Sequence, residues 1–184
     1  DADTINSNLE GATIQALGGD DKINHVGNNN SIDGGAGDDN IEISGNENSI
    51  TGGEGSDTIE SYGNNNTIIG SAGNDSIWTG WESESPGLVY VYGGGNDTIA
   101  PFFDDYQFIV IEGYTWTTNV VQDDNGNDII IVTVLNGSET VGTITVQNFG
   151  NADYGENFGK YILPSKDFIY NDEDGKNNSE AKKD

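Results

Sequence analysis

Residues 34–42 of the chain read GGAGDDNIE, and residues 52–60 read GGEGSDTIE. Both nonapeptides place an aspartate sixth and an isoleucine eighth, after three glycines. Between them, residues 45–50 read GNENSI, a turn rich in asparagine that also leads to an isoleucine. Glycine and asparagine tolerate the positive φ angles that tight turns require. Each nonapeptide is therefore predicted to be a turn followed by a very short strand.

The same spacing extends in both directions along the chain. Isoleucine recurs every nine residues, at Ile5, Ile14, Ile23, Ile32, Ile41, Ile50, Ile59, Ile68 and Ile77. Two residues before each isoleucine, aspartate alternates with a neutral residue that is usually asparagine, so the true repeat is a pair of unlike nonapeptides. One such unit cannot bury its isoleucines alone, so successive units must stack. An 18-residue coil of two strands and two turns would place the aspartate turns on one side and the asparagine turns on the other.

This nonapeptide resembles that of the RTX (repeats-in-toxin) family, G-G-x-G-x-D-x-U-x. Residues 34–42 and 52–60 match every fixed position, whereas residues 16–24 lack the two leading glycines. Residues 70–78 have serine at the second position, and residues 93–99 form a late, shortened copy. The resemblance implies an all-β protein, a right-handed parallel β-roll of 18-residue coils that binds calcium between successive turns.

Stacked aspartate turns need a cation for an electrostatic reason. Neighbouring strands lie about 4.8 Å apart, and two carboxylates at that distance repel by roughly 1 kcal/mol even in water. The resemblance implies that loop carbonyls and aspartate side chains of adjacent turns bind Ca²⁺. The implied ligands are Gly19, Asp21, Gly35, Gly37, Asp39, Gly53, Gly55, Asp57, Gly73, Asp75, Gly95 and Asp97. These turns form four adjacent pairs, which predicts three or four ions. The last pair is irregular, because Ile99 follows Ile77 by more than two nonapeptides.

The asparagine turns depart from the family pattern. Asn30, Asn48 and Asn66 recur once in every second nonapeptide, as do Asn28, Asn46 and Asn64. Stacked asparagines can join their amides into ladders, so a metal-free ladder is the favoured interpretation, with weak calcium binding through the amide oxygens as the alternative. His25, the one histidine, is expected to be a simple turn residue.

The sequence pattern changes after Pro86. Strands are predicted at residues 88–92, 107–112, 115–122, 128–135 and 140–148, with hairpin turns at Asn125-Gly126 and Asn136-Gly137. We expect an antiparallel cap over the open end of the roll, since an exposed sheet edge would be prone to association. The predicted organisation is therefore repeats at 1–85, a last repeat and cap at 86–170, and a disordered tail or linker at 171–184.

Aromatic residues concentrate near the predicted junction of roll and cap. They are Trp78, Trp81, Phe102, Phe103, Tyr114 and Trp116. Packing that seals the junction is the favoured interpretation, and a platform on which sugars stack is the alternative.

Composition excludes several classes of protein. The net charge is −26, with 6 lysines or arginines against 32 acidic residues, which excludes nucleic acid as a partner. Without cysteine the chain has no disulfide or thiol chemistry. No apolar run is long enough for a membrane span. No catalytic motif is present, so we do not expect an enzyme, although a catalytic domain could lie elsewhere in a larger parent protein.

The resemblance implies a calcium-binding module of a protein exported by type I secretion, such as a toxin, which folds when it meets calcium outside the cell. We expect a secreted or cell-surface monomer. The alternative is a carbohydrate- or surface-binding module of an exported adhesin or polysaccharide-modifying enzyme. Ice binding is a third, weaker hypothesis, because the residues that follow the isoleucines do not form regular threonine rows.

Overall fold

The computed structural model describes residues 1–80, 87–101, 107–147 and 162–164. The predicted tail at 171–184 and the aromatic residues Trp81, Phe102 and Phe103 lie outside these residues. The described residues form 16 β-strands. The strands are β1 (Thr4–Ser7), β2 (Thr13–Gln15), β3 (Lys22–Val26), β4 (Ser31–Ala36), β5 (Asn40–Ser44), β6 (Ser49–Glu54), β7 (Thr58–Tyr62), β8 (Thr67–Ala72), β9 (Ser76–Trp78), β10 (Val89–Val91), β11 (Gly95–Ala100), β12 (Phe108–Val110), β13 (Thr115–Gln122), β14 (Asp128–Asn136), β15 (Glu139–Gln147) and β16 (Ile162–Leu163).

The strands alternate between two sheets. The first sheet has the order β1-β3-β5-β7-β9-β11-β15-β14-β13, and the second has the order β16-β12-β10-β8-β6-β4-β2. From β1 to β9 and from β2 to β8, neighbouring strands are parallel and paired exactly one coil apart in sequence, so that isoleucine faces isoleucine. This arrangement confirms the all-β parallel roll of 18-residue coils.

Isoleucines from both sheets fill the interior of the roll. From Ile23 to Ile77, every isoleucine of the nine-residue series is at most 1% exposed. Each contributes about 1.5–3 kcal/mol by burial. Ile5 and Ile14 of the first coil are only partly buried, because β1 and β2 are the terminal strands of their sheets. Stacking therefore supplies the core, as the repeat pattern predicted.

The parallel coils continue beyond residue 85. Tyr90 of β10 takes the isoleucine position, pairing with Ile68 on one side and Ile109 of β12 on the other. The strands predicted at 88–92 and 107–112 as part of an antiparallel cap are thus parallel coil strands instead. Their short apolar pattern suits a strand buried in a parallel stack equally well.

The two sides of the roll differ in how they accommodate extra residues. Tyr90 lies thirteen positions after Ile77 but only nine positions before Ile99, so the extra length falls entirely in the first of these two segments. The next segment, from Ile99 to Ile109, is one position longer than a regular nonapeptide. Each segment that contains an aspartate turn, up to that of Asp97, therefore keeps nine residues between its two core positions. The segments on the opposite side of the roll vary in length.

Antiparallel strands close the C-terminal end of the first sheet. β15 pairs in parallel with β11, and β14 and β13 then add antiparallel strands outside it. Gly126 and Gly137 adopt the positive φ angles of 83° and 64° in the two connecting turns. The result is a cap-like antiparallel region, as expected, that begins at β13.

Two further features mark this end of the molecule. The outer face of the second sheet carries a separate apolar cluster of Val89, Phe108, Val110 and Leu163. Trp116 packs against the main core, and the rings of Tyr92 and Tyr114 meet edge to face with centroids 6.4 Å apart. Among the described residues, none lies in a helix capable of crossing a membrane.

Candidate metal centre

The aspartates of successive coils form one buried column, which we call the aspartate side: Asp21, Asp39, Asp57, Asp75 and Asp97. Each accepts a hydrogen bond from the backbone of the coil before it. The backbone N–H of Asp39 donates to Oδ1 of Asp57 at 2.9 Å, and that of Asp57 donates to Oδ1 of Asp75 at 3.0 Å. The same bond joins the other neighbours in the column. One oxygen of each carboxylate thus holds two coils together.

The second carboxylate oxygen lacks a partner. Oδ2 is buried and without a hydrogen bond in four residues, Asp21, Asp39, Asp57 and Asp75. Burying a charged oxygen without a donor or a counter-ion is costly. Lys22 is the one lysine among the described residues, and its side chain is exposed. A metal cation or a proton would neutralise these oxygens.

Glycines lie directly beside these unpaired oxygens. A Cβ atom at Gly34 would collide with Oδ2 of Asp39 and lie 2.6 Å from the carbonyl oxygen of Gly52. A Cβ atom at Gly52 would likewise collide with Oδ2 of Asp57 and lie 2.9 Å from the carbonyl oxygen of Gly70. At each position a carboxylate oxygen of one coil and a carbonyl oxygen of the next adjoin the same space. Oxygens of these two kinds are the ligands that Ca²⁺ prefers.

The glycines predicted as ligands lie in the same turns and form two further columns. Gly37 and Gly55 have φ angles of 135° and 126°, which other residues rarely adopt. A Cβ atom at Gly55 would collide with the carbonyl oxygen of Gly37, and the same relation joins Gly19 to Gly37, Gly35 to Gly53, Gly55 to Gly73 and Gly73 to Gly95. These glycines are needed for the close approach of the coils.

Sequence reasoning missed Gly34, Gly52 and Gly70, which are the glycines closest to the unpaired oxygens. Their signal is the first glycine of the nonapeptide, which is present at all three positions. In the first coil the equivalent residue is Ala16, so that turn carries a methyl group where the later turns have glycine. The structure therefore brings the predicted aspartates together but makes their surroundings unequal along the column.

The opposite turns, here called the asparagine side, use the same geometry with amides. The backbone N–H of Asn30 donates to Oδ1 of Asn48 at 2.9 Å, and that of Asn48 donates to Oδ1 of Asn66 at 2.9 Å. The Nδ2 atoms of Asn48 and Asn66 then donate to the carbonyl oxygens of Gly27 and Gly45 at 3.0 and 2.9 Å. Each amide is hydrogen-bonded through both its oxygen and its nitrogen, so this side forms a hydrogen-bonded ladder.

Asp97 differs from the other aspartates of its column. Its Oδ2 accepts a hydrogen bond of 2.6 Å from the hydroxyl of Tyr90, and both side chains are at most 1% exposed. The hydroxyl of Tyr92 donates to the carbonyl oxygen of Gly95 at 3.1 Å. Asp97 and Gly95 were both predicted to bind metal. Oδ2 of Asp97 and the carbonyl oxygen of Gly95 thus already accept hydrogen bonds.

Side chains alone do not assemble a metal site in the described part of the chain. No three carboxylate or imidazole groups converge there. Any calcium on the aspartate side would therefore take many of its six to eight oxygens from backbone carbonyls, as glycine-rich turns allow.

The repeats match known family descriptions. Residues 27–42 match the RTX calcium-binding nonapeptide repeat. This match contains the acidic turn of Asp39. Residues 39–80 also match a family described as a protein of unknown function, DUF3060. No curated protein and no solved structure matches the chain. RTX repeats bind calcium, are generally structural and typically occur in secreted proteins.

Burial alters the ionisation of the carboxylates on the aspartate side. The pKa of Asp57 is raised to about 6 and that of Asp75 to about 7, chiefly by desolvation and also by repulsion from neighbouring aspartates. The hydrogen bond from the backbone of the preceding coil opposes this shift in each case. The pKa of Asp39 is raised for the same reasons. Protons therefore compete with calcium for this column near neutral pH.

We expect the metal-free roll to become more stable as the pH falls. The folded-state pKa values of Asp57 and Asp75 lie above the value of about 3.9 for a free aspartate, so without metal these groups stabilise the roll below pH 4 and lose that effect as the pH rises through 6 to 7. In calcium-depleted buffer, circular dichroism should therefore show more β-strand at pH 5.5 than at pH 8. Equal strand content at both pH values would contradict the raised pKa values.

His25 is placed differently from the expectation. It lies in β3, two residues after Ile23, with its side chain 1% exposed and neither ring nitrogen hydrogen-bonded. It is not a turn residue. Desolvation lowers its pKa, while the nearby Leu9 carbonyl and Glu10 oppose that shift. The signal in the sequence is the two-residue period of a strand, because the equivalent residue in the next coil is the buried Ile43.

Proposed function

We propose that this chain is a calcium-dependent folding module of a secreted protein. The column of buried, unpaired Oδ2 oxygens beside glycine carries the proposal. The asparagine side has the same backbone arrangement with every ladder amide satisfied, so an unmet requirement for a cation is specific to the aspartate side.

Asp39 and Asp57 would hold the metal through Oδ2, together with carbonyl oxygens of the RTX turns. Calcium supplies positive charge between carboxylates that otherwise repel one another. Oδ1 of each aspartate keeps its bond to the preceding coil, so binding would not disturb the stack. The metal thereby links adjacent coils.

The proposal extends to export. At cytosolic calcium the carboxylate column would remain without its counter-ion, and the repeats would stay unfolded and suited to type I secretion. Calcium outside the cell would then fold them. The absence of cysteine supports a route without disulfide formation.

Calcium stoichiometry tests the binding site. Asp57→Asn keeps an oxygen that accepts the Asp39 N–H but removes the charge, so equilibrium dialysis should show at least one ion fewer. The matched change Asn48→Ala leaves the buried Asn30 N–H without its acceptor and should cost about 1–3 kcal/mol of stability, with the ion count unchanged. Equal loss of calcium in both variants would make the asparagine side a metal site as well. An unchanged count in Asp57→Asn would refute the proposed function.

Polysaccharide binding is the second candidate for the parent protein. It is supported by Tyr114, which is 39% exposed while its ring packs against Tyr92. A glycan array probed with and without calcium would distinguish this activity from a purely structural role.

A further inference from the structure

We infer that the hydroxyl of Tyr90 takes the place of calcium at the last position between RTX turns, so that Asp97 holds coils together without binding metal. This inference rests on the proposed function, because it concerns which members of the aspartate column are calcium ligands.

Tyr90 is in register with the isoleucines but extends further than they do. It pairs with Ile68 and Ile109, and its ring crosses the interior so that the hydroxyl reaches Oδ2 of Asp97 at 2.6 Å. This distance is typical of a strong hydrogen bond from a hydroxyl to a carboxylate, about 2.5–2.7 Å. The hydroxyl therefore supplies the contact that the other aspartates of the column lack.

Beside Gly70, the Tyr90 hydroxyl oxygen occupies the position that a backbone carbonyl oxygen has at the equivalent glycines. A Cβ atom there would lie 2.5 Å from Oδ2 of Asp75 and 2.6 Å from the Tyr90 hydroxyl oxygen. At Gly34 and Gly52 the second neighbour is a backbone carbonyl oxygen of the next coil. The tyrosine oxygen has thus replaced a potential calcium ligand beside Gly70, and it is hydrogen-bonded to Asp97.

Tyr92 completes the replacement. Its hydroxyl donates to the carbonyl oxygen of Gly95, a group that the RTX resemblance would assign to calcium. With both donors in place, Asp97 has no unpaired buried oxygen, unlike Asp21, Asp39, Asp57 and Asp75. In the coil that contains β10 and β11, hydrogen bonds alone therefore take the place of a metal ion.

Matched asparagine substitutions test this assignment. Asp97→Asn and Asp57→Asn both remove one charge from the column, and in Asp97→Asn the new amide can still bond to the Tyr90 hydroxyl. Equilibrium dialysis against calcium should give Asp97→Asn the full wild-type ion count, whereas Asp57→Asn should bind at least one ion fewer. Loss of an ion from Asp97→Asn would overturn the inference. A full count in Asp57→Asn would instead refute the proposed function, and this inference with it.

A second variant tests the tyrosine directly. Tyr90→Ile restores the residue found at this position in the preceding coils and removes the hydroxyl. It should bind one ion more than the wild type, and adding Asp97→Asn to it should remove that ion again. A folded Tyr90→Ile that binds the wild-type number of ions would contradict the replacement of calcium by the hydroxyl. The Asp97→Asn comparison decides the question if Tyr90→Ile does not fold.

Discussion

Chelation of calcium is expected to remove most of the β-strand signal of residues 1–80. Four buried carboxylate oxygens would then lack any partner, in a chain of net charge −26. Extracellular calcium sites have dissociation constants of about 10⁻⁴–10⁻³ M, and each stabilises the fold by about 1.4 kcal/mol at tenfold excess of calcium. Two or three such sites contribute roughly 3–4 kcal/mol, a large part of the ~5–15 kcal/mol that holds a domain folded.

The measurement is far-UV circular dichroism at pH 8 with a calcium-selective chelator, followed by re-addition of calcium. Hydrogen exchange would locate the change, and we expect amides of β3 to β8 to lose protection first, because their aspartate turns contain the unpaired oxygens. Magnesium serves as the control, since its demand for near-ideal octahedral geometry suits these turns poorly. A spectrum unchanged under strong chelation would show that the roll folds without metal.

Gly52→Ala is expected to raise the calcium midpoint at least tenfold or to prevent folding. The added Cβ would collide with Oδ2 of Asp57 and lie 2.9 Å from the Gly70 carbonyl, filling the space in which we place the metal. Forcing a methyl group into a packed interior costs about 1–3 kcal/mol by itself, and the lost ion adds to that cost. The calcium dependence of circular dichroism measures both effects together.

Ser56→Ala is the matched control for Gly52→Ala. Ser56 belongs to the same turn, is exposed, and bonds to Oδ1 of Asp38 through its backbone N–H, which alanine retains. Its calcium midpoint should equal that of the wild type. Similar midpoints for the two alanine variants would mean that the space beside Gly52 has no role in binding calcium.

The repetitive part of the fold could be predicted from the sequence because its signals reinforce one another. The nine-residue isoleucine series marks the interior, and the alternation of Asp39 with Asn48 identifies the two sides. Each coil meets a neighbour with the same residues, so local pattern and long-range pairing coincide. The parallel pairing of β10 and β12 was missed, because a three-residue apolar strand carries no mark of its direction.

The exceptions within the site depend on contacts across the coil. Nothing local shows that Tyr90 reaches Asp97, since an aromatic residue in a short strand is ordinary. The burial of His25 follows from strand periodicity, but the asparagines around it resemble a turn. Gly34 was visible as part of the motif, yet its closeness to the Asp39 oxygen arises only when two coils stack.

The ladders also limit how this protein can change in length over generations. Each ladder bond between the regular coils joins residues 18 positions apart, carboxylate above carboxylate or amide above amide. A gene that gains or loses eighteen codons therefore restores every bond, whereas a change of nine codons would set Asp39 against an asparagine and exchange the two sheets. Smaller insertions should accumulate opposite the aspartates, where the segment from Ile77 to Tyr90 is already longer than a nonapeptide. We expect inherited length variation to follow that asymmetry.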